Sequence, residues 1–153
     1  MQLKPGLPAP QFTIVSTQKK QVSLADFKGS KAILHFFPMA FTSVCTTQLC
    51  TMRDNFGYYS GSNAVILGIS VDSPFTLAKF KELNNLQFEL LSDFNREVST
   101  AYGCIYDEFV LGLKGVSKRA AFVINEEQVI IYAEVLEVAT DLPDFNAIAD
   151  AVK

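Results

Sequence analysis

Two cysteines five positions apart, Cys45 and Cys50, stand in the stretch FFPMAFTSVCTTQLC at residues 36–50. Pro38 ends the apolar run before them, and Thr42 precedes Cys45 by three residues. From Thr42 the apolar positions Cys45, Leu49, Met52, Phe56 and Tyr59 recur at helical spacing, which predicts one continuous helix beginning near Thr42. With Thr42 as N-cap, Cys45 is the third helical residue. The first amide hydrogens of a helix lack intrahelical partners and carry the positive end of its dipole. A sulfur held there is favoured as a thiolate, the nucleophilic form of cysteine. The Thr42 hydroxyl is placed to cap the helix and to reach a sulfur or a bound oxygen. A plainer reading makes Cys45 only the first member of the apolar stripe.

Cys50 is a separate problem. On a regular helix it lies about 140° around the axis from Cys45, with Cα atoms roughly 8 to 9 Å apart. A disulfide needs a Cα separation of about 4.4 to 6.8 Å. Cys50 therefore either packs beside the stripe as a small residue or joins Cys45 after the first turns unwind. The adjacent-sulfur chemistry of a Cys-x-x-Cys dithiol is not available at this spacing. Cys45, Cys50 and His35 match no standard zinc pattern, so no metal is expected. Cys104 follows Gly103 and reads as a packed residue, with an alternative resolving thiol as the second reading. His35, the single histidine, falls inside an apolar strand as a hydrogen-bonded structural residue. Arg53 and Asp54 read as polar partners on the helix flank.

The elements that must position these groups follow from the same patterning. FTIVST and QVSLADF flank a polar turn at Gln18–Lys20 and predict an N-terminal β-hairpin extension. KAILHFFP, 31–38, is a strand apolar on both faces. NAVILGISVD is a second buried strand, and SPFTLAKFKELNN is a helix with Ser73 as N-cap and Pro74 at its first position. FELLSD is a third strand, followed by a short helix beginning at Asp93 and closed by Gly103. Residues 104–118 are loop-like, RAAFVINEEQVIIYAEVL is a hairpin turning at Asn125–Glu127, and DLPDFNAIADAVK is a final helix. Strands alternating with helices imply an α/β fold with a central mixed β-sheet flanked by helices. The pattern is compatible with both thioredoxin-like and flavodoxin-like folds. No glycine-rich phosphate loop follows a strand, so nucleotide binding has no support.

The totals bound the function classes. A chain of 153 residues, 49% hydrophobic and with 13 phenylalanines, suits one domain over 1–153 with a dense core. A net charge of −3 without a lysine or arginine run argues against nucleic acid. The N-terminus MQLKPGLPAPQF lacks a basic segment followed by an apolar block, and no apolar run is long enough to span a bilayer. Three cysteines do not make a disulfide framework. The expectation is a cytoplasmic protein that leaves membranes alone.

Pro38, Thr42 and Cys45 have the spacing Pro-x-x-x-Thr-x-x-Cys in PMAFTSVC. This resembles the active-site motif of the peroxiredoxins, thiol peroxidases of thioredoxin-like fold. LPAPQFTIVSTQKKQVSLADFKGSKAILHFFP is similar to that family's N-terminal region, and RAAFVIN resembles its later arginine-bearing strand. CTTQLCTMRDN resembles the peroxiredoxin Q, or bacterioferritin-comigratory, branch; FFPMAFTSVC resembles the alkyl hydroperoxide reductase E branch. The resemblance implies that Cys45 is the peroxidatic cysteine and that Thr42 orients peroxide and sulfur. Arg119 would stabilise the thiolate and the leaving oxygen, and Pro38 would shield the sulfur from water. It implies Cys50 as the resolving cysteine, forming an intramolecular disulfide recycled by thioredoxin or a similar dithiol. The substrates implied are hydrogen peroxide and organic hydroperoxides, with no cofactor, in a monomer or homodimer. The competing readings are a one-cysteine peroxidase resolved by an external thiol, and a non-enzymatic thioredoxin-fold binding or chaperone module.

Overall fold

The apolar run at residues 31–36 becomes the middle of a sheet because both of its faces are covered. In the computed structural model, which describes residues 2–153, this strand, β3 (Lys31–Phe36), pairs in parallel with β4 (Ala64–Ser70) and antiparallel with β6 (Arg119–Ile124). β5 (Glu89–Ser92) extends the parallel side. The hairpin of β1 (Thr13–Ser16) and β2 (Gln21–Ser23) closes one edge, and β7 (Ile130–Leu136) closes the other. The order is β2-β1-β5-β4-β3-β6-β7, a seven-stranded mixed sheet. The parallel pairs need helical crossovers. These are α1 (Ser43–Asp54) with α2 (Phe56–Gly61) between β3 and β4, and α3 (Pro74–Leu83) between β4 and β5. α4 (Glu97–Ala101) and α5 (Phe145–Ala151) complete the set. Among the described residues, no helix is long and apolar enough to cross a membrane.

Strand alternation sorts the core into two halves. Ile33, Ala121 and Val123 pack on one face with Cys45, Leu49 and Met52 of α1, Phe80 of α3 and Ile148 of α5. Ala32, Leu34, Phe36, Ala120 and Phe122 point to the other face, with Tyr102 and Cys104. His35 and Arg119 therefore share the α1 face by period. The register sharpens this: Phe36, the last residue of β3, stands opposite Ala120, so Arg119 begins β6 beside the strand end from which the chain leaves for α1.

Local capping follows the sequence at several points. Ser73 Oγ accepts from the Thr76 amide with Pro74 at the first helical position. Asn125 Oδ1 accepts from the amides of Glu127 and Val129 and turns the β6–β7 hairpin. Two expectations change. The stripe from Cys45 to Tyr59 is not one helix: it breaks at Asn55, whose φ of −111° and ψ of 18° leave the helical region. Asn55 donates its side-chain amide to the Thr51 carbonyl, a local bond that competes with helix continuation. The short helix after β5 begins at Glu97 rather than Asp93, because Asp93 is buried and its carboxylate accepts from the amides of Val98 and Ser99.

Candidate active site

The loop from Phe37 to Thr42 carries the chain from the end of β3 to the start of α1. Pro38 is buried there, and Phe41 adopts a left-handed φ of 67°, a conformation unfavourable for a residue with a Cβ. Its ring packs edge-on against Phe80. The loop is tied to β4 by Asp72, whose carboxylate accepts from the Ala40 amide at 2.8 Å and from Ser70 Oγ at 2.7 Å. Thr42 then has the extended backbone of an N-cap and Cys45 is the third helical residue, as the spacing requires. The hydroxyl does not cap. Thr42 Oγ1 donates to the Met39 carbonyl at 2.9 Å, inside the loop, because the left-handed turn at Phe41 brings that carbonyl back within reach.

Cys45 is 1% exposed and lies against Arg119, itself 2% exposed. Arg119 Nη1 donates to Cys45 Sγ at 3.3 Å and to Gln48 Oε1 at 2.8 Å, and Nη2 donates to the Ala139 carbonyl at 2.7 Å. A buried guanidinium requires acceptors of this kind. Gln48 Nε2 lies 2.9 Å from His35 Nδ1 and donates at 3.3 Å to the Phe36 carbonyl. His35 stacks on Phe145 of α5. Burial pushes the His35 imidazole down to about 3, so it is neutral in the fold. Neither His35 Nε2 nor Arg119 Nε has a partner among the described residues.

A pocket of about 230 Å³ opens over the sulfur, lined by Pro38, Met39, Thr42, Val44, Phe109 and Arg119 among others. Its lining is mainly apolar, and Thr42, Ser43, Thr140 and Arg119 are its polar side chains. The geometry puts the Cys45 sulfur in the first turn of a helix, beside a buried guanidinium and under a small, mainly apolar pocket.

The structure thus gathers Pro38, Thr42, Cys45 and Arg119 around one pocket and leaves the other two thiols outside it. Cys50 is half-buried on another side of α1, its Sγ 3.7 Å from Asn84 Oδ1 at the end of α3. Arg53 Nη1 donates to the Asn84 carbonyl in the same corner. Cys104 lies across the sheet, fully buried, and burial pushes its thiol up to about 12. All three cysteines are free thiols. Gln48 was not singled out by sequence reasoning. Its signal is positional: three residues after Cys45 it shares that residue's side of the helix, and a polar side chain next to the buried Leu49 needs partners. The Ala139 carbonyl comes from an irregular segment after β7 and has no sequence signal.

Comparison with known proteins identifies the family. Residues 5–133 match the AhpC/TSA family. A Mycobacterium tuberculosis protein assigned as a peroxiredoxin is 41% identical over 134 residues, covering 86% of this chain and 85% of its own. Peroxiredoxin Bcp of Escherichia coli is 37% identical over 110 residues, 72% of this chain and 70% of its own. The crystal structure of peroxidoxin BcpB from Mycobacterium tuberculosis superposes with a TM-score of 0.87 at 25% identity, covering 98% of this chain and 96% of that one. Sequence match, relatives and fold converge, and the chain belongs to the AhpC/TSA family, among the Bcp-like peroxiredoxins.

Proposed function

We propose that this chain is a thiol peroxidase that reduces hydrogen peroxide and organic hydroperoxides at Cys45. The observation that carries the reading is the Arg119 Nη1–Cys45 Sγ contact of 3.3 Å at the pocket floor. The guanidinium compensates the thiolate charge before reaction and the charge on the departing oxygen during it, without having to reorganise. Thr42 Oγ1 spends its proton on the Met39 carbonyl, which leaves its lone pairs to accept the peroxide O–H and aim the bound molecule. The Cys45 sulfur attacks one peroxide oxygen as the O–O bond breaks. Cys45 becomes a sulfenic acid, and the other oxygen leaves with its substituent and takes a proton as alcohol or water. Pro38 covers the sulfur on the loop side and limits water access.

Cys50 then resolves the sulfenic acid. Its thiolate attacks Cys45 Sγ, hydroxide leaves and is protonated to water, and a Cys45–Cys50 disulfide forms. The folded helix keeps the two sulfurs apart, so α1 must open first. Its sequence favours this. Ser43, Val44, Cys45, Thr46 and Thr47 are consecutive weak helix formers, and the Thr42 side chain supplies no cap. A dithiol such as thioredoxin, in the cytoplasm, returns both cysteines to thiols by exchange.

The test is peroxide consumption with a thioredoxin system, for the wild type and for Cys45→Ser. The expected result is catalytic turnover in the first and none in the second. A wild type that reacts no faster than free cysteine overturns the reading in favour of a binding module. Stable Cys45 sulfenic acid with no Cys45–Cys50 disulfide after one equivalent of peroxide replaces internal resolution with an external thiol.

A further inference from the structure

Arg119 can only donate, so the Gln48 atom facing it at 2.8 Å is the amide oxygen. The other end of the amide is then the NH2 group. It has two hydrogens and two buried acceptors, His35 Nδ1 at 2.9 Å and the Phe36 carbonyl at 3.3 Å. His35 Nδ1 must therefore offer its lone pair, and the imidazole carries its one proton on Nε2. Each link is buried: His35 and Gln48 are 0% exposed and Arg119 2%. The chain His35–Gln48–Arg119–Cys45 is continuous and runs along one face of the sheet; the facing atoms of each pair set one another's donor and acceptor roles, while His35 Nε2 and Arg119 Nε have no partner among the described residues.

The geometry points to His35 as a positioning residue for the peroxidase site: its Nδ1 saturates the Gln48 amide, which in turn holds Arg119 Nη1 against the Cys45 sulfur. This rests on the peroxidase reading of Cys45 and adds a residue that never touches the pocket. Without an acceptor at Nδ1, one hydrogen of the Gln48 amide is left buried and unpaired. That side chain gains by turning away, and Arg119 loses the acceptor that fixes Nη1 between Gln48 and Cys45. A neutral imidazole suits the task, because a protonated ring would present a hydrogen where the amide already has one. The ring's burial against Phe145 favours that neutral state.

Two variants separate positioning from packing. His35→Asn places Oδ1 close to the position of Nδ1 and keeps an acceptor; His35→Leu fills the core but offers none. A packing role predicts that Leu outperforms Asn in every assay. The positioning role predicts the opposite order for chemistry. Reaction of Cys45 with hydrogen peroxide should fall by at least about tenfold in His35→Leu and much less in His35→Asn, even where His35→Leu melts higher. Equal rates, or a faster Leu variant, overturn the proposal. Iodoacetamide alkylation of Cys45, read by peptide mass spectrometry, should follow the same order and reports Arg119 placement without peroxide. A wild type slow with peroxide but showing this order in alkylation would sink the peroxidase reading and leave the positioning intact. Nitrogen NMR of the single histidine at neutral pH gives a check independent of any variant. The proton is expected on Nε2, and an Nδ1-protonated ring overturns the inference.

Discussion

Arg119 and Cys45, 74 positions apart in the chain, meet at 3.3 Å because the first residue of β6 and the first turn of α1 flank the same end of β3. The guanidinium serves three acceptors at once, Cys45 Sγ, Gln48 Oε1 and the Ala139 carbonyl. A lysine ammonium keeps the charge but not the fork. Arg119→Lys should therefore lower the rate constant for peroxide by about 100-fold, a loss typical of a preorganised donor. It should also lower the melting temperature, because buried acceptors lose partners. Stopped-flow oxidation and thermal melts check both; a rate within threefold of wild type would show that charge alone suffices.

Opening of α1 is the second relationship with a measurable consequence. Thr46 and Thr47 bond their hydroxyls to the carbonyls of Thr42 and Ser43, a back-bonding that weakens rather than secures a helix. Thr46→Ala with Thr47→Ala should stabilise the helix by about 0.5 kcal/mol per site. Together they should slow Cys45–Cys50 disulfide formation several-fold while leaving the first peroxide step unchanged. Quenched-flow mass spectrometry separates the two steps. More Cys45 sulfinic acid at high peroxide is expected alongside, since the sulfenic acid waits longer. An unaltered disulfide rate would remove helix opening as the gate.

Much of this site is legible in the residues. The apolar run KAILHFFP marks a central strand and the loop spacing makes Cys45 the third residue of its helix, while the strand face that receives α1 is set by the folded packing. Three features are not legible, each for a physical reason. The break at Asn55 depends on a side-chain bond that competes with an otherwise unbroken apolar stripe. The Thr42 hydroxyl turns to Met39 because of the left-handed turn at Phe41, a conformation that phenylalanine does not advertise. Gln48 has a local helix-position signal, but its partners are set only once β3 and β6 bring His35 and Arg119 to either side of it, which is a property of register.

Cys104 shares a residue type with Cys45 and nothing of its surroundings. It lies among Tyr102, Phe122 and Leu34 on the opposite face of the sheet, and burial pushes its thiol up to about 12. Iodoacetamide at pH 8 should leave it unlabelled in the native protein and label it fully in denaturant. Cys104→Ala should keep the peroxide rate and cost about 1 kcal/mol of stability for the small void left behind. Labelling of native Cys104, or a fall in turnover in the alanine variant, would return it to the list of resolving thiols.

The buried imidazole of His35 also sets how stability depends on pH. Burial lowers it from 6.5 to about 3 in the fold, whereas the unfolded chain regains the ordinary value. Between those limits the unfolded state binds more protons than the native state, so stability rises with pH. The contribution is complete above about 6.5 and is lost progressively as the pH falls toward 3. The slope approaches about 1.4 kcal/mol per pH unit for one proton. Stacking on Phe145 offers the buried ring no counter-ion. Urea unfolding at pH 7, 6 and 5 should show wild type losing stability more steeply than His35→Asn, which lacks the titrating group. Carboxylates elsewhere contribute equally to both proteins and cancel in the difference, so parallel slopes would mean that the ring is already protonated, or already solvated, in the folded chain.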